Sequence, residues 1–227
     1  DNDSDEHLAS GTFDKLYYVN PSQTVSDITP SGLTSGSVSG ALNVGYGGGF
    51  YGTSGNYGRA PTSSGVYSEA TTWALDTWGE YLLAVSSKDG KLYEWQGNPS
   101  TVAAQVTNAP VGNKSMVVTE ERFVFCLGAG GNPRKVAWSD QENNTVWSAS
   151  ATNQAGDFEL QTTGQIMCGL RMRGRTLILT DNDAHIATYS GAPFVYGFER
   201  VGTACGVASR KGAVAIDEGA FWMGKKG

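Results

Sequence analysis

Five times along this chain one pattern returns: a polar turn, a compact apolar strand, a loop, and a second strand that ends on or near an aromatic residue. Self-similarity of this kind constrains a fold more than any single motif does. Each unit is too small to bury both of its faces and must pack on its neighbours. The clearest copy, WGEYLLAVSSKDGKLYEWQG, predicts strands at Tyr81–Val85 and Lys91–Trp95 around an SKDG turn. EERFVFCLGAGGNPRKVAWSD predicts Phe123–Leu127 and Lys135–Trp138, and RGRTLILTDNDAHIATYSG predicts Thr176–Leu179 and His185–Tyr189. RKGAVAIDEGAFWMGKKG predicts Ala213–Ile216 and Ala220–Met223, and the opening HLASGTFDKLYYV is a partial copy with a strand at Lys15–Val19.

The first apolar strands start at 8, 81, 123, 176 and 213. An upstream strand is predicted at Cys168–Gly174, which aligns with Cys205–Lys211, and the matching strands are Met116–Thr119 and Trp73–Thr77. Fourth strands are expected at Thr145–Ser148, Asp157–Gln161 and Phe194–Glu199. The runs YLLAV, FVFCL and TLIL are continuous rather than alternating, as in strands covered on both faces. The predicted fold class is therefore all-β: β-propeller-like blades of three to four antiparallel strands. A single β-sandwich carries less weight, because the units resemble one another. Both ends cut through a unit, so the set is expected to be incomplete and drawn from a longer chain.

Three regions follow. Residues 1–30 form a partial blade, 31–66 a Gly/Tyr-rich loop or linker, and 67–227 consecutive blades, the last of them truncated. Glycine as dense as that of residues 31–66 opposes a regular core strand. The interleaved Tyr46, Phe50, Tyr51 and Tyr57 argue for an ordered loop that packs its rings on a neighbouring subunit.

Composition sets the outer bounds. Hydrophobic residues make up 39% and charged residues 17% of 227 residues, which separates the chain from charge-rich disordered sequences. Apolar runs such as Phe123–Leu127 are far shorter than the ~20 residues that span a bilayer, so no membrane span is expected. Residues 1–110 hold 11 acidic and 4 basic side chains, a net −7, whereas residues 111–227 hold 11 and 12, a net +1. An acidic chain lacks the basic footprint of tight non-specific nucleic-acid binding. Cys126, Cys168 and Cys205 form no disulfide framework and are expected as buried free thiols.

Motifs for catalysis are weak, and no enzyme is expected. No GxSxG or HExxH occurs, and the two histidines, His7 and His185, lie at or beside predicted strands. Asp181, Asn182 and Asp183 read as turn-capping residues. Asp1, Asp3 and Asp5 begin like a calcium loop, but Glu6 replaces the required glycine and Thr12 the bidentate glutamate. No metal and no cofactor is expected. Ser139 and Asp140 before Trp147 resemble an Asp-box turn of the wrong spacing, so Asp140 is assigned to a turn and Trp147 to packing between blades. Asn113-Lys-Ser and Asn143-Asn-Thr match the glycosylation sequon, a triplet common by chance. Arg171, Arg173 and Arg175 alternate with period two, which predicts one shared face able to meet a phosphate, a carboxylate or an acidic neighbour.

Several segments together carry a resemblance. Tyr51–Arg59, Trp73–Asp76, Trp78–Glu80, Leu82–Ala84 and Gly90–Trp95 fall in one order. With the opening HLASGTFDKLYYV and VSDITPSGL, and the later KVAWSDQENNTVWSAS and GAVAIDEGAFWMGKKG, they resemble the propeller-bearing tail nozzle, or packaged-DNA-stabilising hub, proteins of short-tailed bacteriophages. The resemblance implies a structural role in the virion tail, assembly in the bacterial cytoplasm, and no catalytic residues. The implied partners are an adaptor, fibres or spikes, and copies of the chain in a ring, with genomic DNA passing nearby without specific binding. It also implies a longer full-length protein. An acidic first half facing the lumen would repel DNA phosphates and leave the genome free in transit. The alternative reading is a carbohydrate-binding propeller for host-surface glycans. Core-facing Trp73, Trp95, Trp138 and Trp147 favour the structural reading, and aromatics clustered in an open groove favour the lectin.

Overall fold

The protein is described by a computed structural model covering residues 8–38, 69–216 and 219–224. These residues form five antiparallel sheets and no α-helix. The first holds β1 (Leu8–Gly11), β2 (Leu16–Val19) and β3 (Val25–Asp27). The second holds β4 (Trp73–Trp78), β5 (Tyr81–Ser86), β6 (Leu92–Trp95) and β7 (Ala104–Gln105). The third holds β8 (Ser115–Val118), β9 (Val124–Leu127), β10 (Lys135–Trp138) and β11 (Gly156–Glu159). The fourth holds β12 (Ile166–Met172), β13 (Arg175–Thr180), β14 (Ala184–Gly191) and β15 (Val195–Gly202). The fifth is the hairpin β16 (Ala213–Ile216) and β17 (Gly219–Trp222). Within each sheet the strands pair in chain order.

Register explains why the runs are apolar throughout. Successive side chains point to opposite faces, so a sheet between two others needs both parities apolar. In the second sheet, Ala84 and Tyr93 pair on the face that meets Leu16 and Tyr18 of the first. Leu83, Val85 and Leu92 occupy the other face and pack on Met116, Val118, Val124 and Cys126 of the third. The third sheet turns Val117, Phe125, Val136 and Trp138 toward Ile178, Ala187 and Tyr196 of the fourth. The fourth turns Leu177, Leu179 and Ala184 toward Ala213, Ala220 and Trp222 of the fifth. Four apolar clusters thus join five sheets stacked in chain order. The outward faces of the first and fifth sheets stay open, so the described residues do not close into a ring.

Each junction also carries a backbone hydrogen bond of the same kind. The loop between the apolar strand and its hairpin partner accepts an N–H from the segment entering the next sheet. Phe13 accepts from Gly36 at 2.8 Å, Gly90 from Asn113 at 2.9 Å, Pro133 from Ile166 at 2.8 Å and Asn182 from Cys205 at 3.0 Å. These contacts need bare backbone. A Cβ on Gly90 would lie 2.7 Å from the Gly112 Cα, and one on Gly206 2.1 Å from the Asp181 carbonyl carbon.

The predicted strands recur within one to three residues at their ends, with two corrections. Thr145–Ser148 is not a strand. Trp147 donates Nε1–H to the Asn144 carbonyl at 2.7 Å and leans on the cluster between the second and third sheets. The third sheet takes its fourth strand from β11 instead. Cys205–Lys211 is not a strand either: Cys205 and Val207 donate to Asn182 and Thr180, and a turn closes between Ser209 and Gly212.

Phe125 is fully buried between the third and fourth sheets, with its ring 4.7 Å from Tyr196 and 6.1 Å from Trp138. Phe125→Ala is expected to destabilise the fold by about 3–5 kcal/mol in chemical denaturation, and a loss below about 1 kcal/mol would contradict the stacked-sheet core.

Candidate interaction surface

The arginine trio does not share one face. Arg171 pairs with Thr176 on the face of β12 that looks toward the third sheet. Gly174 turns the chain with φ +68°, and Arg175 pairs with Met172, on the face looking toward the fifth sheet. The period-two expectation fails because the hairpin reverses the chain between Arg173 and Arg175, and reversal resets the parity. All three side chains remain exposed.

Arg171 reaches across two junctions to Asp76 on β4, at 3.9 Å. Asp76 also accepts the Val118 amide of the third sheet at 2.8 Å and the Thr77 amide at 2.8 Å. One carboxylate therefore links the second, third and fourth sheets at their first strands. Its sequence signal is an acid inside the apolar strand TWALDTW, which periodicity alone does not single out. Arg210, also not singled out, makes a parallel tie. Its guanidinium donates to the Ile166 carbonyl at 3.1 Å and the Met167 carbonyl at 3.2 Å, and pairs with Glu69 at 3.3 Å. Nearby, Lys114 donates to the Ser87 carbonyl at 3.1 Å, and partial burial, with the Arg210 charge adding to it, lowers its pKa. A third tie is aromatic: Arg122 of the third sheet lies 4.6 Å over the Trp78 ring of the second and pairs with Glu142.

Tyr46, Phe50, Tyr51 and Tyr57 lie outside the described residues, as does Tyr51–Arg59. The base of that segment is described. Ser37 and Thr71 meet there, with the Thr71 amide donating to the Ser37 carbonyl at 2.9 Å and the Ser37 amide to Thr71 Oγ1 at 2.9 Å. The other motif segments, Trp73–Asp76, Trp78–Glu80, Leu82–Ala84 and Gly90–Trp95, fall on β4, β5, β6 and their turns.

The tryptophans face inward. Trp73, Trp78, Trp95 and Trp138 are buried, and Trp147 is half-buried. Three of these indoles use their N–H within the fold: Trp73 donates to the Thr12 carbonyl at 2.6 Å, Trp95 to Thr101 at 3.0 Å and Trp138 to Gln154 at 2.8 Å. A buried indole needs such a partner.

The remaining candidates are structural. The DND turn is capped by Thr180 rather than by its own three side chains: Thr180 Oγ1 accepts the amides of Asn182 and Asp183, while Asp181 accepts the Gln165 amide and Asp183 the Thr162 hydroxyl at 2.7 Å, both from the segment that precedes β12. His185 is buried, and burial lowers its pKa against the raising effect of the Asp183 charge, with Arg200 adding to the fall. Asp140 Oδ1 accepts the Gln154 amide at 2.8 Å. Cys126 and Cys168 are buried free thiols whose pKa values burial raises, that of Cys168 to about 11, and Cys205 is free and partly exposed. Asn113 of the first sequon is fully buried and donates to the Pro110 carbonyl at 2.6 Å, which closes that site to a glycan.

Magnitudes rank the two partners at the three-sheet tie. A surface ion pair contributes little, whereas a carboxylate that holds another strand's amide contributes more. Arg171→Ala is expected to change stability by less than about 0.5 kcal/mol and Asp76→Ala by about 1–3 kcal/mol, read in urea titrations. An equal loss in both variants would contradict this ranking. A scan against protein-family models finds no match, and a search of curated proteins finds no relative.

Proposed function

We propose that the chain is a structural component of a bacteriophage tail, of the nozzle or hub kind, and performs no catalysis. The stacked sheets are blades of a β-propeller, with β4, β8 and β12 the strands nearest the axis. They contribute part of a channel wall and a rigid platform on which other tail proteins dock. The observation that carries the reading is the fate of the tryptophans. Trp73, Trp95 and Trp138 are spent on the junctions between sheets, with their N–H groups bonded internally, rather than offered in an open groove. A wall needs that rigidity, and a glycan-binding surface needs the rings in solvent.

Two further observations support the structural reading. The motif residues Trp73–Asp76 and Gly90–Trp95 build the second sheet, where Asp76 links three sheets. Within β4, β8 and β12 the charged side chains are Asp76 and Arg171, which pair with each other, so these strands present no run of unpaired cations to passing DNA.

Labelled antibody against this chain, viewed by electron microscopy on purified phage particles, tests the proposal. Label at the tail or neck is the expected result. Particles that carry no label, together with retention of the chain on a host-glycan array, would overturn it in favour of the carbohydrate-binding reading.

A further inference from the structure

One polar side chain in the junction between the third and fourth sheets is left without a partner. His185 on β14 is 3% exposed, and its Nε2 meets no donor or acceptor among the described residues. Register sets it opposite Ile178 on β13, two residues before Ala187, and Ile178 and Ala187 both pack in the cluster shared with the third sheet. An apolar side chain would fill this place without leaving a nitrogen unsatisfied. A buried polar group of this kind calls for a reason other than packing.

Charges reach the ring from two directions. Asp183, in the turn before β14, favours the protonated ring, but its carboxylate already accepts the Thr162 hydroxyl at 2.7 Å. Asp181 of the same turn is engaged by the Gln165 amide at 2.8 Å. Arg200 pairs with His185 across β14 and β15 and opposes a second cation there. β12 adds Gly169 to the row and no charge. The third sheet brings apolar Leu127 and Val136 to this junction, and at its edge Arg134 and Glu159 pair with each other. Burial outweighs the Asp183 charge, so the ring in the closed junction stays neutral below the ordinary histidine value of about 6.5.

We infer that His185 is an acid-sensitive latch on this one junction. In mild acid the lone pair of the imidazole takes a proton from solvent, no covalent bond breaks, and the cation moves into water. The fourth sheet then parts from the third while the other junctions hold. The opened junction binds the proton better than the closed one. Closure is therefore fully favoured above about pH 6.5 and weakens as the pH falls below it. One proton per opening limits the change to about tenfold in the opening equilibrium per pH unit. The inference concerns this junction and stands apart from the tail assignment.

Residue-resolved hydrogen exchange of the 227-residue chain from pH 7.5 to 5.5 tests it, a range in which carboxylates of ordinary pKa, near 4, stay ionised. The reporter is the Ile166 amide, which donates to the Pro133 carbonyl across this junction at 2.8 Å. The Asn113 and Cys205 amides report the junctions on either side. With the intrinsic effect of pH on exchange divided out, Ile166 protection is expected to fall several-fold, up to about tenfold, while the other two stay level. His185→Leu is expected to abolish the fall, and His185→Gln takes its place should that variant fail to fold. Proton NMR of the imidazoles, with His7 told apart by the same variant, is expected to give His185 a midpoint below about 6.5. Level Ile166 protection overturns the inference. So does a fall shared by all three amides, a fall that survives the His185 variant, or a His185 midpoint at or above the ordinary value.

Discussion

Everything in this fold depends on sheets that are apolar on both faces. In a sheet between two others the early strands have little solvent side and carry polar residues where a neighbouring sheet receives them, whereas the outer strands β11 and β15 hold exposed polar residues. Asp76 is the informative exception: its carboxylate is tolerated within β4 because the Val118 amide and the Arg171 guanidinium meet it from the next two sheets. Each of the four clusters draws side chains from two consecutive sheets, so no sheet holds a core of its own. Stability is therefore shared along the chain in the manner of repeat proteins.

Apolar contact does not by itself set the order or the angle of the sheets. The repeated backbone bond supplies that constraint. Each entering segment is fixed to the loop of the sheet before it, through Gly36, Asn113, Ile166 and Cys205. Two indole groups add direction: Trp73 of the second sheet donates to the Thr12 carbonyl of the first, and Trp222 of the fifth sheet donates to Cys205 in the segment that leads into it. Where backbones approach closely, as at Gly112 and Gly206, side chains are absent.

Much of this was legible in the sequence because strand pairing within a hairpin is local. YLLAV and FVFCL announced β5 and β9, and the aromatic ends Trp95 and Trp138 announced β6 and β10. What failed was non-local. Thr145–Ser148 has strand-like composition, but Asn144 and Trp147 are held by their own tertiary contacts, Asn144 by the Glu94 carboxylate of the second sheet. Cys205–Lys211 copies the composition of Cys168–Gly174, yet its amides are claimed by Asn182 and Thr180. The arginine trio shows the limit of a periodicity argument: Arg171 and Arg175 keep the spacing, and the turn at Gly174 separates their faces. β7, only two residues long, had no composition to announce it.

Consecutive sheets are joined by backbone bonds as well as by apolar contact. Residue-resolved hydrogen exchange reads those bonds directly, at amides that lie at or outside strand ends. Asn113, Ile166 and Cys205 donate across three junctions, at 2.9, 2.8 and 3.0 Å. These amides are expected to exchange as slowly as those inside β9 and β13. Exchange at the rate of open loops, with β9 and β13 still protected, would contradict it and leave the sheets folded but not joined in this way.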